Sequence, residues 1–370
     1  MVVVMKKVVI ITNVPSPYRV AFFRYMQERE SEYSFHVIYT SQNSDIGRQW
    51  KVGKDELGNH SFLKCKVITI PNRYDDRRIV FSVGVTKKLK KLQPDIVVCM
   101  EYNATILQAV HWCKKNKVPF LSWSDGTANS ERKIGRLQKM FRSYVIRRAA
   151  GFVASSTATM ERQISLGAKE ELCHKCLLTV DIQKYLKKKP ADYVPGKKLL
   201  YVGSLIERKG LDLLMPALAM TAPEVTLMIV GEGPEERILK EQIRELGLVE
   251  RVTFLGYLEG EALNACYEKA DAFVLPTRED CYGLVVLEGM CHCLPVITSK
   301  YADGSYDLIV DGVHGAITDP YQPKELAQAI DRLFADREEL LKMQERCYQR
   351  ALEFRFDAVC GGFYEALDAV

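Results

Sequence analysis

Lys198-Leu199-Leu200-Tyr201-Val202-Gly203-Ser204-Leu205-Ile206-Glu207-Arg208-Lys209-Gly210-Leu211-Asp212-Leu213-Leu214 carries three signals in order. The apolar run to Val202 reads as a strand, Gly203 turns the chain, and the apolar stretch from Leu211 reads as a helix. Strand, glycine turn and helix in succession form the repeating unit of an α/β protein with a parallel sheet. The alternation extends in both directions. Strands are expected at Val8–Thr12, His36–Tyr39, Lys66–Ile70, Ile96–Met100, Phe120–Trp123 and Gly151–Ala154. A second series is expected at Lys198–Val202, Thr226–Val230, Val252–Leu255, Ala272–Leu275 and Pro295–Thr298. Helical patterns fit between them, among them Ala21–Glu30, Ala104–Lys115, Leu211–Met220 and Pro234–Leu246.

Domains usually hold about 100–200 residues, so a chain of 370 residues suits two. The strand series restarts after a stretch with two prolines, a glycine and a lysine run, Leu186 to Gly196, which reads as a linker. The expected plan is a first Rossmann-like domain over 1–188, a linker over 189–197 and a second Rossmann-like domain over 198–350. A C-terminal helix over 351–370 has the option of crossing back to the first domain. Ligands of open parallel sheets bind beyond the carboxyl ends of the strands, so two such sheets would face a cleft.

Composition removes several classes. No run approaches the roughly 18–20 apolar residues of a membrane span. The opening residues run through Val8–Thr12 straight into Asn13-Val14-Pro15 with no small-residue cleavage site, so they read as a strand rather than a secretory leader. The eleven cysteines are odd in number and scattered in apolar segments, as expected of reduced thiols in a cytoplasmic protein. Cys173 and Cys176 have the spacing of half a zinc site, but no second pair follows. Cys291 and Cys293 flank His292 in a helix-like segment, where packing is the simpler role. No metal and no cofactor are expected.

Charge is unevenly spread. Residues 1–192 hold 34 Lys and Arg against 17 Asp and Glu, and the remainder hold 18 against 30. The first half should attract something anionic, such as a phosphorylated acceptor or an acidic membrane surface. No recognised motif supports nucleic acid, and the acidic second half argues against it. The strongest basic segment runs from Arg132 to Arg148. Arg132, Arg136 and Lys139 would share one helical face there, with Leu137, Phe141 and Tyr144 on another. Lys87-Lys88-Leu89-Lys90-Lys91 is a second cluster.

Chemistry should sit in loops after strands. After Val202, the turn at Gly203 and Ser204, the cations Arg208 and Lys209 and a following helix N-terminus suit a diphosphate. After Val230, Gly231-Glu232-Gly233-Pro234 lets the backbone turn tightly near a ligand, but lacks the third glycine of the dinucleotide fingerprint. After Leu275, Glu279, Asp280, Gly283, Leu284, Val285 and Glu288 follow in one loop and helix. Amides from Gly283 onward can hold phosphate, and Asp280 and Glu288 can accept hydrogen bonds from sugar hydroxyls. A carboxylate inside the apolar Leu284–Met290 run would be costly to bury without a partner.

In these motifs the chain resembles glycosyltransferase family 4, the retaining group of GT-B architecture. The likeness is carried by Val202-Gly203-Ser204-Leu205 with Arg208-Lys209-Gly210, Gly231-Glu232-Gly233-Pro234, Val252-Thr253-Phe254-Leu255-Gly256 and Asp280–Met290. Leu294-Pro295-Val296-Ile297 and Asp311-Gly312-Val313-His314-Gly315 continue it, and Asn13-Val14-Pro15-Ser16-Pro17-Tyr18-Arg19 looks like a subset of the family. The resemblance implies that Lys209, assisted by Arg208, neutralises the donor diphosphate and that Glu288 holds the ribose hydroxyls. It implies that Asp280 contacts the transferred sugar, that the amides of Gly283, Leu284 and Val285 hold diphosphate and sugar, and that the loop near Leu258 faces the base. Pro17, Tyr18 and Arg19 fall on the acceptor side. Three positions depart from the family: Asp280 stands where glutamate is usual, beside Glu279; Ser204 stands where arginine is common; and Asp125 is the nearest equivalent of a frequent histidine.

With these readings, the resemblance implies a retaining glycosyltransferase moving a sugar from a UDP- or GDP-sugar to a glycan, glycolipid or lipid-linked hydroxyl. Polysaccharide or cell-surface glycan synthesis would be its setting, in the cytoplasm or on the inner face of a membrane. Asp280, Lys209, Arg208 and Asp125 are the candidate catalytic residues. No Asp-x-Asp pair occurs in the chain, so the cations and helix amides would replace a metal at the diphosphate. Two other readings fit the same residues: a sugar-nucleotide epimerase or hydrolase on this scaffold, and a non-catalytic nucleotide-sugar-binding protein.

Overall fold

The computed structural model describes residues 5–29, 31–42, 52–74, 76–190 and 192–370. Glu30, at the end of the first expected helix, and Ala191, inside the expected linker, lie outside the described residues. The chain forms two compact units. One comprises Met1–Pro71, Asp76–Asp181 and Phe356–Val370; the other comprises Asn72–Asp75 and Ile182–Arg355.

The first unit contains strands β1 (Lys6–Thr12), β2 (Tyr33–Tyr39), β3 (His60–Phe62), β4 (Lys64–Ile70), β5 (Arg77–Val83), β6 (Ile96–Met100), β7 (Phe120–Ser124), β8 (Gly151–Ala154) and β9 (Cys173–Lys175). Helices α1 (Pro17–Glu28), α2 (Val85–Leu92), α3 (Ala104–Asn116), α4 (Arg136–Ile146) and α5 (Thr157–Ser165) lie between them. Seven strands form one sheet in the order β3-β2-β1-β6-β7-β8-β9, and every pairing in it is parallel. Its centre is apolar on both faces: Val97, Val98 and Cys99 of β6 are wholly buried, as covered parallel strands require.

One expected strand pairs differently. Lys66–Ile70 belongs to β4, which leaves the large sheet and pairs antiparallel with β5 as a separate two-stranded ribbon. The residues explain this. Lys64 and Lys66 interrupt the apolar run, and Ile68 and Ile70 are 46% and 47% exposed. A strand with lysines along it cannot be covered on both faces, so the shorter β3 takes the sheet edge instead. The half zinc spacing also resolves into packing. Cys173 opens edge strand β9, and Cys173 and Cys176 are both buried.

The second unit opens with α6 (Ile182–Tyr185) and continues through β10 (Lys198–Val202), α7 (Leu211–Met220), β11 (Thr226–Val230), α8 (Glu236–Glu245) and β12 (Val252–Phe254). It then runs through α9 (Gly260–Lys269), β13 (Ala272–Leu275), α10 (Leu284–Cys291), β14 (Val296–Ser299), α11 (Ser305–Leu308), β15 (Gly315–Thr318), α12 (Pro323–Ala335) and α13 (Arg337–Leu352). Its six strands pair in the order β12-β11-β10-β13-β14-β15, all parallel. The segment expected as a linker packs on this unit. The Lys189 ammonium donates to the carbonyls of Glu268 and Ala270, both at 2.7 Å, neutralising the end of α9. Asp271 accepts the amides of Gly196 and Lys198 at 3.0 and 2.6 Å.

The chain end returns to the first unit as α14 (Phe356–Val359) and α15 (Gly361–Asp368). Aromatic contacts hold it: Phe363 lies 5.0 Å from Trp123, and Phe356 lies 5.4 Å from Phe22. Among the described residues no helix is long and apolar enough to cross a membrane.

Candidate functional site

Each sheet has one place where strand order reverses, and crevices open there at the carboxyl ends of the strands. In the second unit the reversal lies between β10 and β13. The loops that follow these two strands hold Arg208 and Lys209 on one side and Glu279 and Asp280 on the other. They are zipped together by backbone and side chain. The Arg278 amide donates to the Arg208 carbonyl at 2.8 Å, and the Thr277 hydroxyl donates to the Arg208 and Glu279 carbonyls, both at 3.0 Å.

Lys209 and Asp280 form the ion pair at the centre, with Nζ 2.5 Å from Oδ2 and side chains 15% and 14% exposed. The Arg208 guanidinium lies 3.9 Å from the same oxygen and donates to the Glu279 carbonyl at 2.9 Å. The other Asp280 oxygen accepts the amides of Tyr282 and Gly283 at 3.2 and 3.1 Å. Desolvation alone would push this carboxyl up. Lys209 and Arg208 overcome that and hold it below the usual carboxylate range. Asp280 therefore fixes Lys209 and the entry to α10 together.

Gly283, at φ 79°, caps α10. The amides of Leu284 and Val285 belong to the first turn, which has no intrahelical acceptors, so a partial positive charge faces outward beside the two cations. One turn further in, Glu288 is half-buried and accepts a hydrogen bond from the Tyr267 hydroxyl at 2.8 Å. Among the described residues no cation pairs with it. Desolvation pushes its carboxyl up to about 7, against the lowering effect of Tyr267.

The glycine loops form one wall. A Cβ at Gly231 would lie 1.9 Å from the Gly203 carbonyl oxygen, so only glycine permits this approach of the loops after β10 and β11. Gly233 stands in the same wall beside Leu205. The Gly231 amide donates to the Gly256 carbonyl at 2.8 Å, which brings the loop of half-buried Leu258 beside them. Ser204 is exposed at the rim, and its carbonyl accepts the Tyr201 hydroxyl at 3.0 Å. Sequence reasoning missed two partners. Arg73 donates twice to Glu235, at 2.8 and 3.0 Å, and the Tyr74 hydroxyl donates to Glu279 at 3.2 Å. Neither carries a motif. Only the fold brings residues so remote in sequence into this unit.

In the first unit the reversal lies between β1 and β6. Pro17, Tyr18 and Arg19 form the first turn of α1 after β1. Arg19 is 4% exposed, with its guanidinium 4.8 Å from the Trp123 ring. It pairs with Asp125, which follows β7, and Asp125 also accepts the Ser155 hydroxyl. Asp125 is thus engaged by two donors. Glu101, which follows β6, was not among the sequence candidates. It has a positive φ of 74°, and desolvation pushes its carboxyl up to about 7.

The basic helix begins later than its sequence pattern suggested. Gly135 caps α4, so Arg132 stands in the preceding turn and does not share a helical face with Arg136 and Lys139. Leu137 and Met140 are 59% and 64% exposed, while Val145 and Ile146 carry the buried contact. Among the described residues no group of three or more His, Cys, Asp or Glu side chains gathers as a metal ion would need.

Residues 183–353 match the family model described as glycosyl transferases group 1. The chain is 32% identical over 142 residues to an uncharacterised glycosyltransferase of Methanocaldococcus jannaschii, covering 38% of this chain and 36% of that protein. It is 31% identical over 150 residues to the alpha-D-kanosaminyltransferase of Streptomyces kanamyceticus, covering 40% and 39%. It thus spans less than half the length of these relatives. An uncharacterised glycosyltransferase of Haemophilus influenzae matches at 24% identity over 74% of this chain and 76% of that protein. Among solved structures, Anabaena HepE in complex with UDP and glucose superposes with a TM-score of 0.77 at 19% identity, covering 99% of this chain and all of that one. The apo form of the lipopolysaccharide outer core galactosyltransferase WaaB gives 0.76 at 18%, covering 98% and 99%. The fold is therefore the GT-B fold of these transferases.

Proposed function

We propose that the chain is a glycosyltransferase that moves a sugar from a nucleoside-diphosphate sugar to an acceptor hydroxyl, with retention at the anomeric carbon. One observation carries this reading: Lys209, Arg208 and the first turn of α10 converge at the strand reversal of the second sheet. Two cations beside a helix N-terminus suit a diphosphate, and they lie inside the segment that matches glycosyl transferases group 1.

The chemistry follows from the charges. As the bond between the anomeric carbon and the phosphate oxygen breaks, negative charge grows on the departing diphosphate. Lys209, Arg208 and the amides of Leu284 and Val285 face that charge and stabilise it. The acceptor oxygen attacks the same face of the oxocarbenium-like carbon, and its proton passes to the leaving phosphate. Glu288 accepts hydrogen bonds from the ribose, and the Leu258 loop borders the base. Asp280 orients Lys209 and reaches the sugar. UDP is the first nucleotide to test, because HepE holds UDP and glucose; GDP is the second, because a matched Mycolicibacterium smegmatis mannosyltransferase is GDP-mannose-dependent. With the cations in place no divalent ion is required, and EDTA should leave transfer unchanged. Product analysis with and without an acceptor separates transfer from epimerisation or hydrolysis.

The acceptor in this reading is a glycan or a lipid-linked sugar at an anionic membrane surface, held on the side of Pro17, Tyr18, Arg19 and Asp125. Exposed Leu137 and Met140 on α4, beside exposed Arg136 and Lys139, support it. A helix of this kind can lie in a headgroup layer.

A further inference from the structure

The crevice of the first unit is bordered by two carboxylates in different states. Asp125 pairs with Arg19 and takes the Ser155 hydroxyl. The Glu101 side chain takes no hydrogen bond and no ion pair among the described residues. Its charged neighbours are already matched: Arg19 by Asp125, and Arg142 by Glu131, with Nε 2.5 Å from Oε1. Glu131 is further held by Arg162 at 2.9 Å. The Glu101 carboxyl therefore has no cation of its own, half-buried at the carboxyl end of β6 and beside the strand reversal.

Its backbone is also unusual. Glu101 is left-handed at φ 74°, while its amide still donates to the Trp123 carbonyl at 3.3 Å. A long acidic residue rarely adopts this conformation, and glycine would adopt it without strain. Strain retained beside a crevice, with the side chain left unmatched, is the pattern of a binding group.

We infer that the Glu101 carboxylate accepts a hydrogen bond from a hydroxyl of the incoming acceptor and fixes its orientation in the crevice, while Asp125 serves to hold Arg19. The ligand class is a polyhydroxylated acceptor. This rests on the transferase reading above. The carboxylate form is the stronger acceptor; burial first, then the fields of Asp125 and Glu131, oppose its ionisation, Arg19 and Arg142 favour it, and the Tyr18 hydroxyl faces the same group. Acceptor affinity should therefore rise as pH rises through about 7.

The test compares wild type with Glu101→Gln, Glu101→Ala and Glu101→Gly. Readouts are acceptor KM and kcat across pH 5.5–8.5, affinity for UDP and GDP by calorimetry, and melting temperature. The expected result is an acceptor KM raised at least tenfold and flat with pH in all three variants, with nucleotide affinity within twofold of wild type. Glu101→Gly should also melt at a higher temperature than wild type, which shows that the loss is not unfolding. Acceptor KM within threefold of wild type in Glu101→Gln and Glu101→Ala overturns the inference. So does a parallel loss of nucleotide affinity. A wild-type chain that binds no nucleoside diphosphate instead overturns the transferase reading, and this inference with it.

Discussion

One cation–carboxylate pair stands at the strand reversal of the second sheet and another beside that of the first, and they are built differently. Lys209–Asp280 lies between glycine-walled loops, with both side chains slightly exposed, and its carboxylate also receives the amides that open α10. Arg19–Asp125 has its cation sealed, 5% exposed, over the Trp123 ring, while its carboxylate is 26% exposed. Lysine is a flexible point charge that can turn from Asp280 to an arriving phosphate. A sealed, stacked arginine cannot leave without loss of packing. Under the proposed function, the difference separates a pair that trades partners from one that holds a wall in place.

The largest expected effect breaks that contrast on the first unit. Arg19→Met should lower stability by roughly 3 kcal/mol, the low end for breaking a buried pair because Asp125 reaches solvent. Chemical denaturation checks it, and nucleotide affinity of the folded fraction should stay unchanged. Next, Glu288→Gln should weaken nucleotide binding, and Asp280→Asn should mainly lower turnover, each by roughly 1.5–3 kcal/mol. Titration calorimetry and initial rates separate the two. If both variants behaved as wild type, the donor seat would not lie at this reversal.

Glu288 also sharpens the contrast through pH. Its folded pKa, about 7, stands above the ordinary 4.5, so the folded state binds the extra proton. Stability from this group is full below about 4.5 and falls as pH rises to about 7. Glu288→Gln should therefore match wild type in melting temperature at pH 4.5 and exceed it at pH 8. Equal melting curves at both would remove the claim that Glu288 is desolvated. The smallest effect concerns α4: each basic residue near an anionic surface contributes about 1 kcal/mol. The protein should float with anionic vesicles at low salt, leave them at high salt, and ignore neutral vesicles.

Legibility in the sequence followed the same division. The second unit was readable because each loop of its reversal announces itself with glycine after an apolar strand, and Leu211–Met220 has the predicted bounds. The first unit hides its crevice. Met100-Glu101-Tyr102 offers no glycine, and the left-handed turn at Glu101 is visible only in the backbone. Edge strands β3 and β9, of three residues each, are too short to show a period, and the lysines that take β4 out of the sheet were outweighed in the sequence reading by its β-branched run. Arg73 and Tyr74 reach Glu235 and Glu279 across 162 and 205 residues of sequence, a proximity no local pattern encodes.

The most direct test is a nucleotide screen by melting temperature in EDTA, with UDP, GDP, ADP and their sugars, on wild type and Lys209→Ala. A ligand at a hundred times its Kd adds about 2.7 kcal/mol to a fold that binds it. The account predicts a clear rise with at least one nucleoside diphosphate without any metal, and at least tenfold weaker binding, about 1.4 kcal/mol, in Lys209→Ala. A wild-type protein unmoved by every nucleotide, or a shift fully retained without Lys209, would contradict it.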